Sequence, residues 1–436
     1  ESKQKMQFNM FSIRKLLLFL VALAAWPGLG QGVLTIDSCY KLAEKNWPLI
    51  HQIDLIANSN DLKIKNLNKN YLPQSLFSVN VSYQSDVTQV SIPLPSGFGP
   101  LDMPEMSKDW YKAILDVNQA VWDGNVTSYN KKVEKYNQDV DQTSVQSELY
   151  KLKDRVNQIY LSVLLLDAND TLLASNFDQV SSKLREIEVA VKNGAALQMN
   201  ADALRAELIR IEQLMDESSG DRKAAFGMLS QLLGVTVGRN TRLVMPNPAV
   251  NSYLFENKRF ENEIFTLQES RLGVLRDMVT TKWNPKIYAY GQAGYGRPSL
   301  NMLDNDFKPW GLVGAKLTWN FWNWNANKNE KKILDIQADI IKSQQSAFDR
   351  NLRIQAERDL AEIEKAEAVT KRDAEIIDLR TKVTKAASTQ LDNGVITSSD
   401  YISRLKEETQ ARLNYEIHKL QLVKARLNYL YNQGKL

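Results

Sequence analysis

Two stretches of this chain, residues 126–192 and 326–392, run for 67 residues each without a glycine or a proline, and they begin 200 positions apart. Polar, helix-compatible sequence free of both breakers predicts two α-helices of about 100 Å at 1.5 Å per residue. That length exceeds the globular range several-fold, so each helix calls for coiled-coil or tubular packing rather than a compact domain. Asn193-Gly194 and Asn393-Gly394 close the two stretches. Both residue types tolerate the left-handed conformation that ends a helix, so each long helix is expected to turn there and return antiparallel.

The same offset runs through the rest of the chain. Trp122-Asp123-Gly124-Asn125 recurs as Trp322-Asn323-Trp324-Asn325, and Lys192-Asn193-Gly194 recurs as Asp392-Asn393-Gly394, both at 200 residues; Pro73 has its counterpart in Pro285, at 212. The chain reads as two copies of one unit, residues 31–245 and 246–436, after a leading segment of residues 1–30. Each copy predicts a helix (about 36–70, then about 255–282) ended by a proline. Two β segments follow around a loop rich in Pro, Gly and Asp. The long helix, the Asn-Gly turn and a returning helix that stops near Gly234 or Gly434 complete the copy.

In the leading segment, Arg14-Lys15 precede an unbroken apolar run from Leu16 to Ala25, and Gly28-Leu29-Gly30 follows Pro27. This is the pattern of an export signal peptide starting at Met10, with upstream remnant sequence before it. No later stretch approaches the roughly 18 consecutive apolar residues of a membrane-spanning helix, which excludes a multi-pass helical membrane protein. The net charge of +4 shrinks once these residues are set aside, leaving 51 basic against 50 acidic side chains. A balance that even gives no electrostatic case for binding nucleic acid. Two histidines and one cysteine leave little for metal, thiol or imidazole chemistry. No catalytic residue, cofactor or metal site is expected: His51 and His418 lie far apart in sequence, and Cys39 reads as a small buried helix residue.

The β segments alternate. Phe77, Val79, Val81, Tyr83 and Val87 interleave with Ser78, Asn80, Ser82, Gln84 and Asp86; Tyr111, Ala113, Leu115, Val117 and Val121 with Lys112, Asp116 and Asn118; Val313, Ala315, Leu317, Trp319 and Phe321 with Lys316, Thr318 and Asn320. Period two predicts strands with one apolar face. A half-buried sheet in water shows the same pattern. The export signal and segment lengths near the 9–11 residues of a membrane strand point instead to a lipid-facing set of Phe77, Val79, Val81, Leu115, Val117, Val313, Leu317 and Trp319. Trp110, Trp122, Trp310, Trp319, Trp322 and Trp324 cluster at strand ends, as interfacial girdles do. The segment from Ile287 to Tyr295 is Gly-rich; Gly291, Gly294 and Gly296 match no nucleotide fingerprint and are expected to allow curvature or close approach. Four strands cannot close a barrel in lipid, so the chain is expected to assemble; a dimer would supply eight strands and a trimer twelve, and strand geometry does not choose.

This duplicated order resembles the TolC-like outer-membrane efflux channels over about residues 33–434. So do Leu34-Thr35-Ile36-Asp37, Asn46-Trp47-Pro48, Val117-Asn118-Gln119-Ala120-Val121-Trp122-Asp123, and Asn393-Gly394 followed by Asp400. The resemblance implies a mainly α protein with a membrane β part, built from helix, β-hairpin and long helical hairpin in duplicate. It implies a homotrimer whose twelve-stranded barrel stands in outer-membrane lipid and whose twelve-helix α-barrel projects into the periplasm. Such a protein is a passive exit duct that receives solutes from an inner-membrane pump through a periplasmic adaptor (membrane fusion) protein. The loops at about 88–109 and 297–310 would then face outside, and Asn193, Gly194, Asn393 and Gly394 would be adaptor-contact tips. Asp400, with Asn200 and Asp202 in copy one, would line the periplasmic entrance; an acidic family position three residues on is Ser403 here, which thins any acidic ring. Thr397-x-x-Asp400 also fits a helix capping box, a role compatible with the entrance. The competing readings are a periplasmic adaptor, which should hold one helical hairpin between compact β halves where this chain has two hairpins, and a soluble coiled-coil scaffold, which leaves the alternating strands unexplained.

Overall fold

The computed structural model describes residues 32–88, 106–250 and 255–436; the expected signal peptide and residues 89–105 of the first loop expected to face outside lie outside them. In chain order the elements are β1 (Val33–Leu34), α1 (Ile36–Asn46), α2 (His51–Asn68), β2 (Gln74–Tyr83), β3 (Asp109–Trp122), α3 (Val126–Lys192), α4 (Gln198–Leu233), β4 (Arg242–Leu243), α5 (Phe260–Met278), β5 (Lys286–Arg297), β6 (Lys308–Thr318), α6 (Ala326–Asp392) and α7 (Ser398–Asn432). The long helices α3 and α6 are 67 residues each and start 200 residues apart, as do the helices α4 and α7 that follow them.

Four boundaries differ from the sequence expectation. The first predicted helix is two: α1 stops at Asn46, and a 3-10 turn over Pro48–Ile50 leads into α2. Pro48 has no N–H to continue the ladder, which closes on Trp47 N–H donating to Ala43 O at 3.0 Å. Likewise α5 begins at Phe260 rather than near 255. Strand β2 ends at Tyr83 and β6 at Thr318, so Val87, Trp319, Asn320 and Phe321 fall outside the strands to which the alternation assigned them.

Packing divides the chain into two units, and each draws on both sequence copies. The first comprises His51–Ser147 and Lys258–Asn351, and carries a four-stranded sheet together with α2, α5 and the leading parts of α3 and α6. The second comprises the described residues up to Ile50, Glu148–Asn257 and Leu352–Leu436. In it, Leu173, Val180, Leu184 and Ile187 of α3, Ala201, Leu204 and Ile211 of α4, Ala387 and Leu391 of α6, and Tyr401, Ile402 and Leu405 of α7 form one buried cluster. Apolar side chains three and four apart on each helix thus find partners on the other three, which is what helices of this length need.

A small polar joint sits in the same unit. Strands β1 and β4 pair in parallel, Val33 with Arg242 and Leu34 with Leu243. The fully buried Tyr160 of α3 secures them: its hydroxyl lies 2.8 Å from Leu34 O and 2.7 Å from Val244 O, and accepts from Val244 N–H at 2.9 Å. Beside it α1 meets the end of α4, where Asn46 Nδ2 donates to Leu233 O at 2.8 Å. Cys39 of α1 is fully buried, and that burial pushes its thiol up to about 12. Tyr160→Phe removes the hydroxyl that joins the two strands but leaves Val244 N–H its bond to Leu34 O at 3.2 Å, so the substitution should cost about 0.5–1.5 kcal/mol in denaturant unfolding while leaving far-UV circular dichroism unchanged.

Candidate functional site: a two-faced sheet and a pair of helical turns

The sheet runs in the order β2-β3-β5-β6, every pair antiparallel. Its register carries rows across all four strands: Phe77 faces Leu115, Leu115 faces Ala293, and Ala293 faces Gly311. The neighbouring row is Ser75, Val117, Gly291 and Val313. Because side chains alternate between faces, these pairings put Phe77, Val79, Val81, Leu115, Val117, Val313 and Leu317 on one face. That face is open: Phe77 is 67% exposed, Val313 85% and Leu317 63%. A contiguous apolar patch of this kind marks a surface built to be covered. Its only strand charges, Asp109 and Arg297, form an ion pair at one end. The opposite face carries Gln74, Ser78, Asn80, Lys112, Asp116, Gln292 and Lys316 among Leu76, Ile114, Leu312, Tyr288 and Tyr290, with Gln292 Nε2 donating to Asp116.

The tryptophans depart from a simple girdle. Trp110 and Trp310 sit on the polar face, opposite Ser82 and Gly294. A Cβ at Gly294 would come within 2.4 Å of the Trp310 ring, and one at Gly314 within 2.7 Å of Tyr290, so these glycines make room for a cross-strand aromatic ring. Trp122 reaches the apolar face through a bulge: Ala120 faces Tyr288 and Trp122 faces Ile287, leaving Val121 extra. Trp319 lies one residue beyond β6, where its Nε1–H donates to Trp283 O at 2.9 Å.

In the other unit, both long helices end alike. Gly194 adopts φ +72° and Gly394 φ +67°. Gly194 N–H donates to Val191 O at 3.0 Å and Ala195 N–H to Ala190 O at 2.7 Å; Gly394 N–H donates to Leu391 O at 3.0 Å and Val395 N–H to Gln390 O at 2.8 Å. These are Schellman closures, in which the glycine supplies left-handed backbone. No atom lies within 4 Å of a Cβ built on either glycine, so the requirement is conformational, not steric. Asn393, beside its glycine, donates from Nδ2 to Thr389 O at 2.9 Å; Asn193 closes through its backbone, N–H to Val189 O at 3.1 Å.

The returning helices start close together. Asn200 Oδ1 accepts Ser398 N–H at 3.1 Å, tying the first turn of α4 to that of α7. Thr397 Oγ1 accepts Asp400 N–H at 3.2 Å while Asp400 Oδ2 accepts Thr397 N–H at 3.0 Å, a complete capping box. Asp400 is solvent-exposed, and the hydrogen bonds from Thr397 hold its carboxyl below the usual aspartate range. Asp202 and Ser403 are exposed, and Asp202 accepts Gln198 Nε2–H at 2.9 Å.

Two buried charges here escaped the sequence reading. Lys183 of α3 reaches Glu186 at 2.6 Å and Asp392, the last residue of α6, at 2.8 Å. Burial opposes its charge, but the two carboxylates outweigh burial and raise the ammonium above the usual lysine range. Glu207 of α4 is held by Arg210 at 2.6 Å and by Lys406 of α7 at 2.8 Å, which outweigh its burial and keep it below the usual glutamate range. The available signal was position: Lys183 lies three and four residues from the apolar Val180 and Ile187, on the stripe that feeds the core. His418 Nδ1 lies 2.6 Å from Asp373 Oδ2; among the described residues no group of three or more metal-ligating side chains forms, and no helix is long and apolar enough to cross a membrane.

No family model and no curated protein matches the sequence. Solved structures do match the fold. The CmeC outer membrane channel of Campylobacter jejuni superposes with a TM-score of 0.64 at 12% identity, covering 92% of this chain and 85% of its own. The outer membrane protein VceC of Vibrio cholerae gives 0.65 at 9%, covering 92% and 96%. The open state of the MtrE outer membrane channel of Neisseria gonorrhoeae gives 0.59 at 12%, covering 92% and 88%. The chain thus shares the fold of these outer membrane channels, the fold expected from the resemblance.

Proposed function

We propose that this chain is the outer-membrane exit duct of a tripartite export system, a passive passage that carries out no bond chemistry. The observation that carries the reading is the sheet, whose exposed apolar face backs a polar one and whose outer strands β2 and β6 each have one neighbour among the described residues. Unpaired strand edges cost several kcal/mol per polar group in hydrocarbon, so the face demands lipid and the edges demand closure with further copies. Three copies close a twelve-stranded barrel, in keeping with the fold's resemblance to outer-membrane channels.

The repeat specifies the seam between copies. Within the chain, Val117 of the first hairpin faces Gly291 of the second. Advancing Val117 by its repeat offset of 200 and setting Gly291 back by 212 puts Leu317 of one copy opposite Val79 of the next, both on the apolar face. The Gly194 and Gly394 turns, with Asn193 and Asn393, serve as tips that meet a periplasmic adaptor, and Asp400, Asn200, Asp202 and Ser403 line the entrance through which an inner-membrane pump delivers solute.

Mass measurement in detergent should give three copies, and Leu317→Cys with Val79→Cys should cross-link between copies, Cys39 being buried; a stable monomer would overturn the closure. Val313→Arg, on the lipid side, should impair membrane assembly by roughly 2–4 kcal/mol, while Thr318→Arg on the lumenal side is tolerated. The reverse order in an assembly assay would put the strand register wrong by one. At the entrance, Asp400→Ala should alter single-channel conductance or cation block in planar bilayers without preventing trimer formation. Unchanged conductance and block would confine Asp400 to capping.

A further inference from the structure

The charges on the polar face of the sheet are unbalanced. Lys112, Lys286, Lys308 and Lys316 stand there against Asp116. Lys308 is neutralised by Asp304, with Asp306 also at 3.7 Å. Lys112 Nζ lies 4.7 Å from the centroid of the Trp110 ring, a contact that steadies the ammonium without cancelling its charge. Lys286 and Lys316 form no ion pair among the described residues.

The last two are neighbours. Lys286 faces Thr318 and Lys316 faces Tyr288, which makes them a diagonal pair on adjacent strands, roughly 7–8 Å apart. Asp116 faces Gln292, four residues along β5 from Tyr288, or roughly 13 Å. That exceeds the Debye length of about 8 Å in physiological salt, so Asp116 does not reach the lysine pair; the nearer carboxylate, Asp123, follows Trp122 and borders Lys286, but it is turned to the Tyr71 hydroxyl at 2.8 Å and the Thr127 N–H at 2.7 Å and pairs with neither lysine. The seam register adds to the imbalance: Lys316 falls opposite Asn80 of the next copy, and Asn80 faces Lys112. Lys112 of the next copy then lies two strands from Lys316, about 10 Å away, and no acid enters the row.

We infer that Lys286 and Lys316, joined across each seam by Lys112, form an anion-attracting ring on the lumenal wall, which selects anionic solutes bearing carboxylate, phosphate or sulfonate groups. This rests on the duct reading, because only closure turns the polar face inward and repeats the lysines around one axis. Field lines from like charges in a walled lumen concentrate along it, raising the local concentration of anions and lowering that of cations.

The test places a thiol beside the pair, Thr318→Cys, in the full-length protein reconstituted into liposomes. Modification rates are measured with an anionic sulfonatoethyl and a cationic trimethylammonioethyl methanethiosulfonate, each divided by that reagent's rate with free cysteine. The anionic reagent should be favoured by roughly tenfold, from two unit charges at this spacing in partly screened water. The preference should fall toward unity in Lys286→Gln/Lys316→Gln, with trimer mass checked in the same sample. A cationic preference, or an anionic one that survives loss of both lysines, overturns the proposal. Leu317→Cys in the same liposomes tests the parent reading separately: if it reacts with both water-soluble reagents as fast as Thr318→Cys does, the apolar face is wet and the duct reading itself fails.

Discussion

The pairing of β3 with β5 is the contact through which two sequence copies become one wall. Each hairpin alone is a two-stranded ribbon, marginal at best in water. Joined, they give four strands whose faces agree from edge to edge, and the agreement depends on register, since a slip of one residue would carry Leu115 and Val117 to the polar side. The joint also decides what is left over. With β3 and β5 satisfied on both sides, β2 and β6 remain as edges, one from each copy. A wall that ends in one edge of each kind can be extended by the very pairing that built it, so the proposed closure requires no new type of contact.

The helical unit solves a different problem with the same economy. A polar helix of 67 residues has little to hold it but its partners, and the two Schellman turns return the chain so that four helices share one apolar cluster. Apolar stripes alone leave the sliding of one helix past another poorly specified. Buried charges specify it: Glu207 bonds Lys406 across helices, Lys183 bonds Asp392, and Glu408 accepts from Thr381 Oγ1 at 3.0 Å. Such groups add little net stability where they are satisfied, but separating one from its partner costs about 3–5 kcal/mol, which penalises any other alignment.

Long elements with a single period were legible in the sequence, and features made of one or two residues were not. Residues 126–192 and 326–392 read as helices because nothing in them competes with helix, and their asparagine–glycine ends carry the chemistry of the turns seen. Phe77, Val79, Val81, Leu115, Val117, Val313 and Leu317 share one face in the register, as period two has them, whereas Trp319 lies beyond β6, because alternation does not mark where pairing stops. The bulge at Val121 inverts the parity that puts Trp122 on the apolar face, and Trp110 and Trp310 turn to the polar side, where a cross-strand glycine leaves room for Trp310. Aromatic enrichment at strand ends records none of this. The parallel β1–β4 pair and its Tyr160 clasp were also invisible, because two residues carry no periodicity and their pairing is set by distant segments.

At the Thr397 turn, structure and charge make the same demand on one side chain. Asp400 closes the capping box only as a carboxylate, accepting from Thr397 N–H at the positive end of α7. Its folded pKa is depressed, so the capping contribution is fully present above the ordinary aspartate pKa and is lost as pH falls through the lower, folded value. The turn is therefore charged whenever it is well formed. Its negative charge follows from the chemistry that starts the helix, and any role at an entrance would draw on a carboxylate already ionised and oriented for that purpose. Asn200, which occupies the matching place in the first copy, takes the complementary part: its neutral amide accepts Ser398 N–H without adding a second charge to the junction. The duplicated helix starts have thus diverged where they touch, one keeping the acid that caps and the other an amide that ties the two together.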